Sequence, residues 1–358
     1  KSVLNKTSLD TEVRDSQLLF NNSNWSDELF INSMLNKSAD IVGFSTMAGM
    51  LPHLLSCLKK AKKLYPQKIF ILGGPGVSNV AESVMQAFSC VDYIVVGEGE
   101  YTFIELVKAI LDKKETKVCG VYSRQGNAVS ISEYRNRIEN LDEISFPDYE
   151  ALPYERYYYN NVITARGCAH ACSFCEAPTL WKGGIRYRSI ESVINEVEML
   201  RGKYKRQRIN VCDDSFLEEP KRVSLFCDGL ISRNLNVKWG CFARIDQLTE
   251  NNAKVMAEAG CDNIFIGIET GSDNVMLKIG KKVELLGVGK YLAGIQKHIP
   301  TVTVSIIWGF PYETITDYEQ TIALCYRLAK NGIRVQRPLL SLRHGTSLYY
   351  KYNNIYYF

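Results

Sequence analysis

Residues 164–178 read TARGCAHACSFCEAP, and three cysteines in them, Cys168, Cys172 and Cys175, stand at C-x3-C-x2-C spacing. A structural zinc ion takes four ligands in a tetrahedron, usually from paired C-x2-C knuckles. No fourth cysteine lies beside these three, which leaves His170 and Cys212 as the residues to weigh for that place. Thiolates also hold iron–sulfur clusters. Three protein ligands leave one iron of a [4Fe–4S] cube open, and an open metal position is what a catalytic site keeps for a reactant.

Working outward, the residues around the loop alternate between two patterns. VITAR (162–166) reads as a strand, and five more follow: RINVCDD (208–214), VKWGCFAR (237–244), DNIFIGIET (262–270), TVTVSIIWG (301–309) and IRVQRPLL (333–340). Helical periodicity fills 189–201, 219–233, 250–259, 283–298 and 316–330. Six β/α units predict a partial barrel, six units where a full barrel has eight, and barrel chemistry sits at the C-terminal ends of the strands. The cysteine loop follows the first strand. Polar residues mark the ends of the others: Asp213 and Asp214 in VCDDSF, Arg244 in FARID, Glu269 in GIETGS, with Gly309 in IIWGFPYET. Taken singly, Asp213 and Asp214 suit a helix-capping pair, and Arg244 with Asp246 a surface ion pair. At successive strand ends they read together as a site.

The first third is a different α/β pattern. ADIVGFST (39–46), KIFILGGPG (68–76) and VDYIVVGEGE (91–100) are apolar runs ending in small-residue turns, each followed by a helix: 51–65, 78–88 with Ser78 as its N-cap, and 102–111. Continuous apolar strands between amphipathic helices predict a parallel sheet covered on both faces. Ligands bind at the carboxyl edge of such sheets, where these turns lie. Residues 11–19 read as one more strand. An open sheet would have a further strand and helix before it, and the chain begins with Lys, so an N-terminal truncation is expected. Residues 117–134 predict a hairpin turning at 125–127. Residues 140–159 carry Pro147 and Pro153, several aromatics and no period, as a linker packed between domains would. The expected organisation is a Rossmann-like domain over 1–135, a linker over 136–160, a (β/α)6 barrel over 161–342 and a tyrosine-rich tail over 343–358 that packs on something.

Net charge is +4, too small to argue for nucleic acid as a partner. The basic run RGKYKRQR (201–208) sits at a helix end, where cations offset the dipole. Neither a signal peptide nor an apolar run of membrane-spanning length is visible. The eleven cysteines are odd in number and mostly scattered through apolar segments. They predict free thiols in a reducing cytoplasm, three of them special.

With Phe174 just before the last cysteine, and the loop after the first strand of a six-unit barrel, the motif resembles the radical S-adenosylmethionine (SAM) superfamily. The resemblance implies a [4Fe–4S] cluster on Cys168, Cys172 and Cys175, the methionine part of SAM on the open iron, and reductive cleavage of SAM to a 5′-deoxyadenosyl radical. It implies SAM contacts from Phe174, Asp213, Arg244 (on the carboxylate), Glu269 (on the ribose hydroxyls) and Gly309 (beside the adenine). DIVGFST, FILGGPG and VDYIVVGEGEYTFIEL resemble the cobalamin-binding domain found ahead of many radical SAM barrels; the alternative is a nucleotide-type Rossmann-like domain. Cobalamin contacts are then implied from Ser45, Thr46 and Met47, from Gly73, Gly74 and Gly76, and from Gly97, Glu98 and Gly99. The D-x-H-x-x-G motif that supplies a histidine to cobalt is absent. His53 lacks that context and reads as an ordinary helix residue, so no histidine ligand to the metal is expected.

Together these imply a cobalamin-dependent radical SAM methyltransferase acting on an unactivated carbon of a small-molecule or peptide substrate, fed by an external electron donor of flavodoxin or ferredoxin type. Cyclisation or rearrangement on the same scaffold is the rival reaction. A methylthiotransferase would bring three more cluster cysteines in its N-terminal domain, whereas Cys57, Cys90 and Cys119 fall in or beside apolar segments. A non-enzymatic iron–sulfur or corrinoid carrier has no need of the strand-end residues. No residue is given a catalytic role by the sequence.

Overall fold

The computed structural model describes residues 1–7, 9–18, 26–35, 38–126, 128–157 and 160–352, in two compact units. In the first, residues 1–139 and 143–156, the three apolar runs form β1 (Ile41–Ser45), β2 (Ile69–Gly73) and β3 (Tyr93–Val95), adjacent and parallel. The hairpin β4 (Val121–Gln125) and β5 (Ala128–Ile131) adds two antiparallel strands beside β3. Asn127 of the expected turn lies outside the described residues. The helices are α1 (Asp27–Met34), α2 (Leu51–Leu64), the short α3 (Pro75–Ser78), α4 (Ala81–Ala87) and α5 (Gly99–Leu111).

Period-two alternation explains why both faces are covered. Phe70 and Leu72 of β2 enter one core with Leu54, Leu58, Met85 and Ile94. Ile71, between them, enters a second core with Val95, Leu106 and Val121. In α2, Pro52 suits the first turn, where its missing N–H costs nothing, and Lys62 and Lys63 face the negative helix end.

Two expectations fail in this unit. Ser78 does not cap the next helix; it ends α3 and donates through Oγ to Gly74 O at 3.0 Å. Residues 11–18 form no strand: 11–15 have no regular structure and Ser16–Leu18 make a 3-10 turn. Charge explains this, because Arg14 pairs with Glu12 at 2.8 Å and donates to Ser33 O at 2.6 Å instead of joining a ladder. Leu19, the last residue of that expected strand, lies outside the described residues.

The second unit holds residues 140–142 and 157–358. Its strands are β6 (Asn160–Val162), β7 (Ala165–Arg166), β8 (Arg186–Tyr187), β9 (Arg208–Val211), β10 (Lys238–Arg244), β11 (Cys261–Glu269), β12 (Thr301–Ile306) and β13 (Arg334–Gln336). Six of them form a parallel sheet in the order β13-β12-β11-β10-β9-β6. β7 and β8 make a separate antiparallel ribbon. The helices are α6 (Ala177–Trp181), α7 (Ile190–Gly202), α8 (Pro220–Ser232), α9 (Glu250–Glu258), α10 (Asp273–Lys278), α11 (Val288–Gln296), α12 (Ile315–Lys330) and α13 (Ser347–Tyr352).

Capping boxes start α9 (Thr249 with Asn252) and α12 (Thr314 with Asp317). One face of β10 buries Trp239 edge-on to Phe216 and Phe226, with its indole N–H on Ala259 O at 3.0 Å. The helix expected over 283–298 begins only at Val288, behind Gly287 in the left-handed region at φ +75°. The last expected strand stops at Gln336, just before Arg337 and Pro338. Among the described residues no helix is long and apolar enough to cross a membrane.

Candidate functional site

The strand expected over 162–166 is interrupted, and the interruption aims the cysteine loop. β6 pairs with β9 as far as Val162 and Val211. There Asp213 takes over the ladder's work: Oδ1 accepts from Thr164 N at 2.7 Å and Ala165 N at 3.0 Å, and Oδ2 from Thr164 Oγ1 at 2.5 Å. Asp213 is 3% exposed, and burial pushes its carboxyl up to about 6 against the pull of those donors. Asp214 accepts from Gly167 N–H and the Trp181 side chain, and burial raises it as well. The two aspartates are therefore tethers of the loop's entry. This corrects the expectation that Asp213 meets SAM, because its oxygens are committed to backbone and threonine.

Further contacts hold the loop itself. Cys175 N donates to Cys172 O at 3.0 Å, and Ser173 N to Ile279 O at 3.1 Å, beyond α10. Leu348 N of α13 donates to Ser173 O at 2.9 Å, and Thr179 Oγ1 to Gly345 O at 2.7 Å. The tyrosine-rich tail thus packs, through its helix, on the cysteine loop. Phe174 meets Phe310, past the end of β12, edge-on at 6.1 Å.

All eleven cysteines are free thiols. Burial raises Cys168 and lifts Cys175 to about 11, with the neighbouring Cys172 and Asp214 adding to it. Among the described residues, the ligand atoms of Asp27, His53 and Cys57 all lie within 4.8 Å of one another. Three free thiols with both candidate fourth ligands otherwise engaged suit a multi-iron cluster. His170 faces Glu218 at 3.2 Å and Gln247 at 3.3 Å, and Cys212 accepts from Asn210 at 3.1 Å, so both candidates for a fourth zinc ligand are engaged elsewhere.

Arg244, closing β10, serves two readings at once. Its Nε and Nη2 grip Asp246 at 3.0 and 2.7 Å, while Nη1 stands 3.7 Å from Cys172 Sγ. Glu269 closes β11 with φ +78°, where a bulge shifts the register against β12. A bulge re-aims a side chain, and positive φ in a non-glycine residue is strain that functional sites tolerate. Its carboxylate is buried and meets Lys281 Nζ at 2.7 Å; the same ammonium donates to Gly267 O at 3.0 Å. The sequence gives no cue to Lys281 beyond a lysine pair after α10. Beneath Glu269, Thr270 meets Thr321 Oγ1 at 3.1 Å, Gly271 N donates to it at 3.0 Å, and Ser272 bonds Asp317. Donation from Ser272 and Thr314 holds the Asp317 carboxyl down to about 2. Gly309 has φ +87°, and a Cβ there would stand 2.9 Å from Leu339 Cδ1. At this φ the glycine's freedom serves the turn.

In the first unit the expected contact residues divide. Thr46 is buried; its N–H donates to Gly73 O at 3.1 Å, and Gly76 N to Thr46 O at 2.8 Å. A Cβ on Gly76 would reach Ala48 N at 2.6 Å, and one on Gly74 would reach Ser45 Oγ at 2.7 Å. These glycines let one loop close on another. Glu98 accepts from Ile138 N at 2.7 Å. What remains open at this strand edge is Ser45, Met47 (64% exposed), Met50 (52%) and Gly97, whose φ is +77° and whose missing Cβ has no atom within 4 Å. An exposed apolar shelf beside the open position at Gly97 fits a flat macrocycle. The His53 ring stands 3.4 Å from Cys57 Sγ and 3.8 Å from Asp27, edge-on to Phe30, in the α1–α2 packing.

Residues 162–325 match the family model of the radical SAM superfamily, and residues 6–107 match that of the B12 binding domain. An uncharacterized methyltransferase of Pyrococcus horikoshii is 31% identical over 295 residues, 81% of this chain and 64% of the relative. The anaerobic magnesium-protoporphyrin IX monomethyl ester cyclase of Rubrivivax gelatinosus is 25% identical over 334 residues, 86% of this chain and 59% of the relative. The chain therefore spans about three-fifths of the length of these relatives. In fold it is similar to TsrM, a radical S-adenosylmethionine methyltransferase from Kitasatospora setae whose structure holds cobalamin and a [4Fe–4S] cluster. The TM-score is 0.76, with 17% identity over 97% of this chain and 69% of that one. The chain thus carries a radical SAM superfamily domain over residues 162–325 and, ahead of it, a B12 binding domain over residues 6–107.

Proposed function

We propose that the chain is a cobalamin-dependent radical SAM methyltransferase that methylates an unactivated carbon of a peptide or natural-product substrate. The observation that carries this is the three-cysteine loop at the end of the first barrel strand, with Arg244 Nη1 3.7 Å from Cys172 Sγ. When bound, a [4Fe–4S] cluster would supply the electron that cleaves SAM, and cobalamin would carry the methyl group.

The chain's own residues do the placing. Cys168, Cys172 and Cys175 would hold the cluster, and with three protein ligands one iron would be left for SAM. Asp213 and Asp214 keep the loop's entry fixed. Arg244 would take the SAM carboxylate with the part of its fork that Asp246 leaves over, and Glu269 would accept from the ribose hydroxyls. Phe174, edge-on to Phe310, would wall the SAM site. On the first unit, Ser45, Met47 and the turn at Gly97 would receive the corrin ring, with Gly73 and Gly99 beside them. An external flavodoxin- or ferredoxin-type donor would supply electrons.

The likeness to the magnesium-protoporphyrin cyclase favours a second reading on the same residues, cyclisation or rearrangement. One experiment separates them. The chain is reconstituted anaerobically with iron, sulfide and cobalamin, then given SAM, reductant and candidate substrates. Methylation yields both 5′-deoxyadenosine and S-adenosylhomocysteine; rearrangement yields deoxyadenosine alone.

A further inference from the structure

Lys281 and Glu269 form a buried ion pair, 7% and 6% exposed, at the strand-end edge of the barrel sheet. Burying two charges costs desolvation that their attraction barely returns, so such a pair is poor evidence of a stabilising role. Three features say this one is built to place a carboxylate. Glu269 is held at φ +78° on a bulge. Lys281 is fixed at a second point, donating to Gly267 O at 3.0 Å. Gly267 itself leaves the gap: a Cβ there would fall against Glu269 Oε1 and 2.9 Å from Lys281 Nζ.

We propose that Lys281 is a positioning residue for SAM binding: seated with Glu269 in the space that Gly267 leaves for the pair, it holds one oxygen of Glu269 so that the carboxylate is aimed at the ribose hydroxyls. Lys281 itself touches no substrate. The inference rests on the reading of this barrel end as the SAM site.

The test is equilibrium binding to the full, cluster-loaded chain of two probes, S-adenosylhomocysteine and its analogue lacking both ribose hydroxyls. Cluster absorbance and thermal midpoint are followed alongside. Wild type should prefer S-adenosylhomocysteine. Lys281→Met should lose that preference, weakening S-adenosylhomocysteine about tenfold while the analogue's affinity stays put, the loss expected for a misaimed charge-assisted hydrogen bond. Glu269→Gln should lose it equally, and the double variant should lose no more than either single one. If the methionine variant does not fold, Lys281→Leu, which likewise has no donor for Glu269, carries the test with the same expectation. A folded Lys281 variant that keeps the wild-type preference, while Glu269→Gln loses it, overturns the role of Lys281. A wild type that binds neither probe, or both alike, overturns instead the reading of Glu269 as the ribose ligand.

Discussion

Asp213 shows how one side chain can be legible in place and misleading in role. Its position at a strand end is readable from the apolar run before it. Its direction is not, because alternation says which face a residue takes and nothing about backbone donors that another strand leaves spare. Burial lifts its carboxyl to about 6 from an ordinary value near 3.8. The folded chain therefore keeps a proton that the unfolded chain has released, between about pH 4 and 6. This group's contribution is full below that window and lost as pH rises through it, on the order of 3 kcal/mol. Asp213→Asn should flatten this fall in stability, measured as denaturant midpoints from pH 4 to 7. At Gly267 the sequence is silent, since a glycine inside a strand has many uses. Gly267→Ala should cost about 1–3 kcal/mol of stability by overpacking the Lys281–Glu269 pair, read by urea unfolding.

Most elements follow from periodicity, and those that depart from it have local causes. A carboxylate that replaces ladder partners splits one expected strand into β6 and β7. A left-handed glycine delays α11. α6 and α10 are five and six residues long, too short to show a helical period. The tail could be read as packing on something, yet its partner, the cysteine loop, lies more than 170 residues away in sequence. α13 is therefore the element on which the account can be probed without touching a cysteine. Leu348 is 3% exposed and its N–H holds Ser173 O. Leu348→Ala should lower stability by about 2–5 kcal/mol and speed the loss of iron to a chelator. Unchanged iron release in a destabilised variant would separate the helix from the loop.

At the scale of the whole molecule, the parallel strands of both large sheets were legible because apolar strands alternate with amphipathic helices, and the antiparallel hairpin was legible from its turn. The three-cysteine motif was legible because its spacing is unusual. The residues proposed to hold SAM were legible only in part: Arg244 and Glu269 stand at strand ends, as their apolar runs predict, while Lys281 lies across a turn that no pattern marks. The central claim is that Cys168, Cys172 and Cys175 together hold an iron–sulfur cluster whose open iron takes SAM. Its most direct test is iron and sulfide content after anaerobic reconstitution, with the electron paramagnetic resonance signal recorded before and after SAM. The wild type should hold about four irons and show a signal that shifts with SAM, and the folded Cys168→Ala, Cys172→Ala, Cys175→Ala triple variant should hold none. Iron retained by the triple variant, or a wild-type signal indifferent to SAM, would contradict the account.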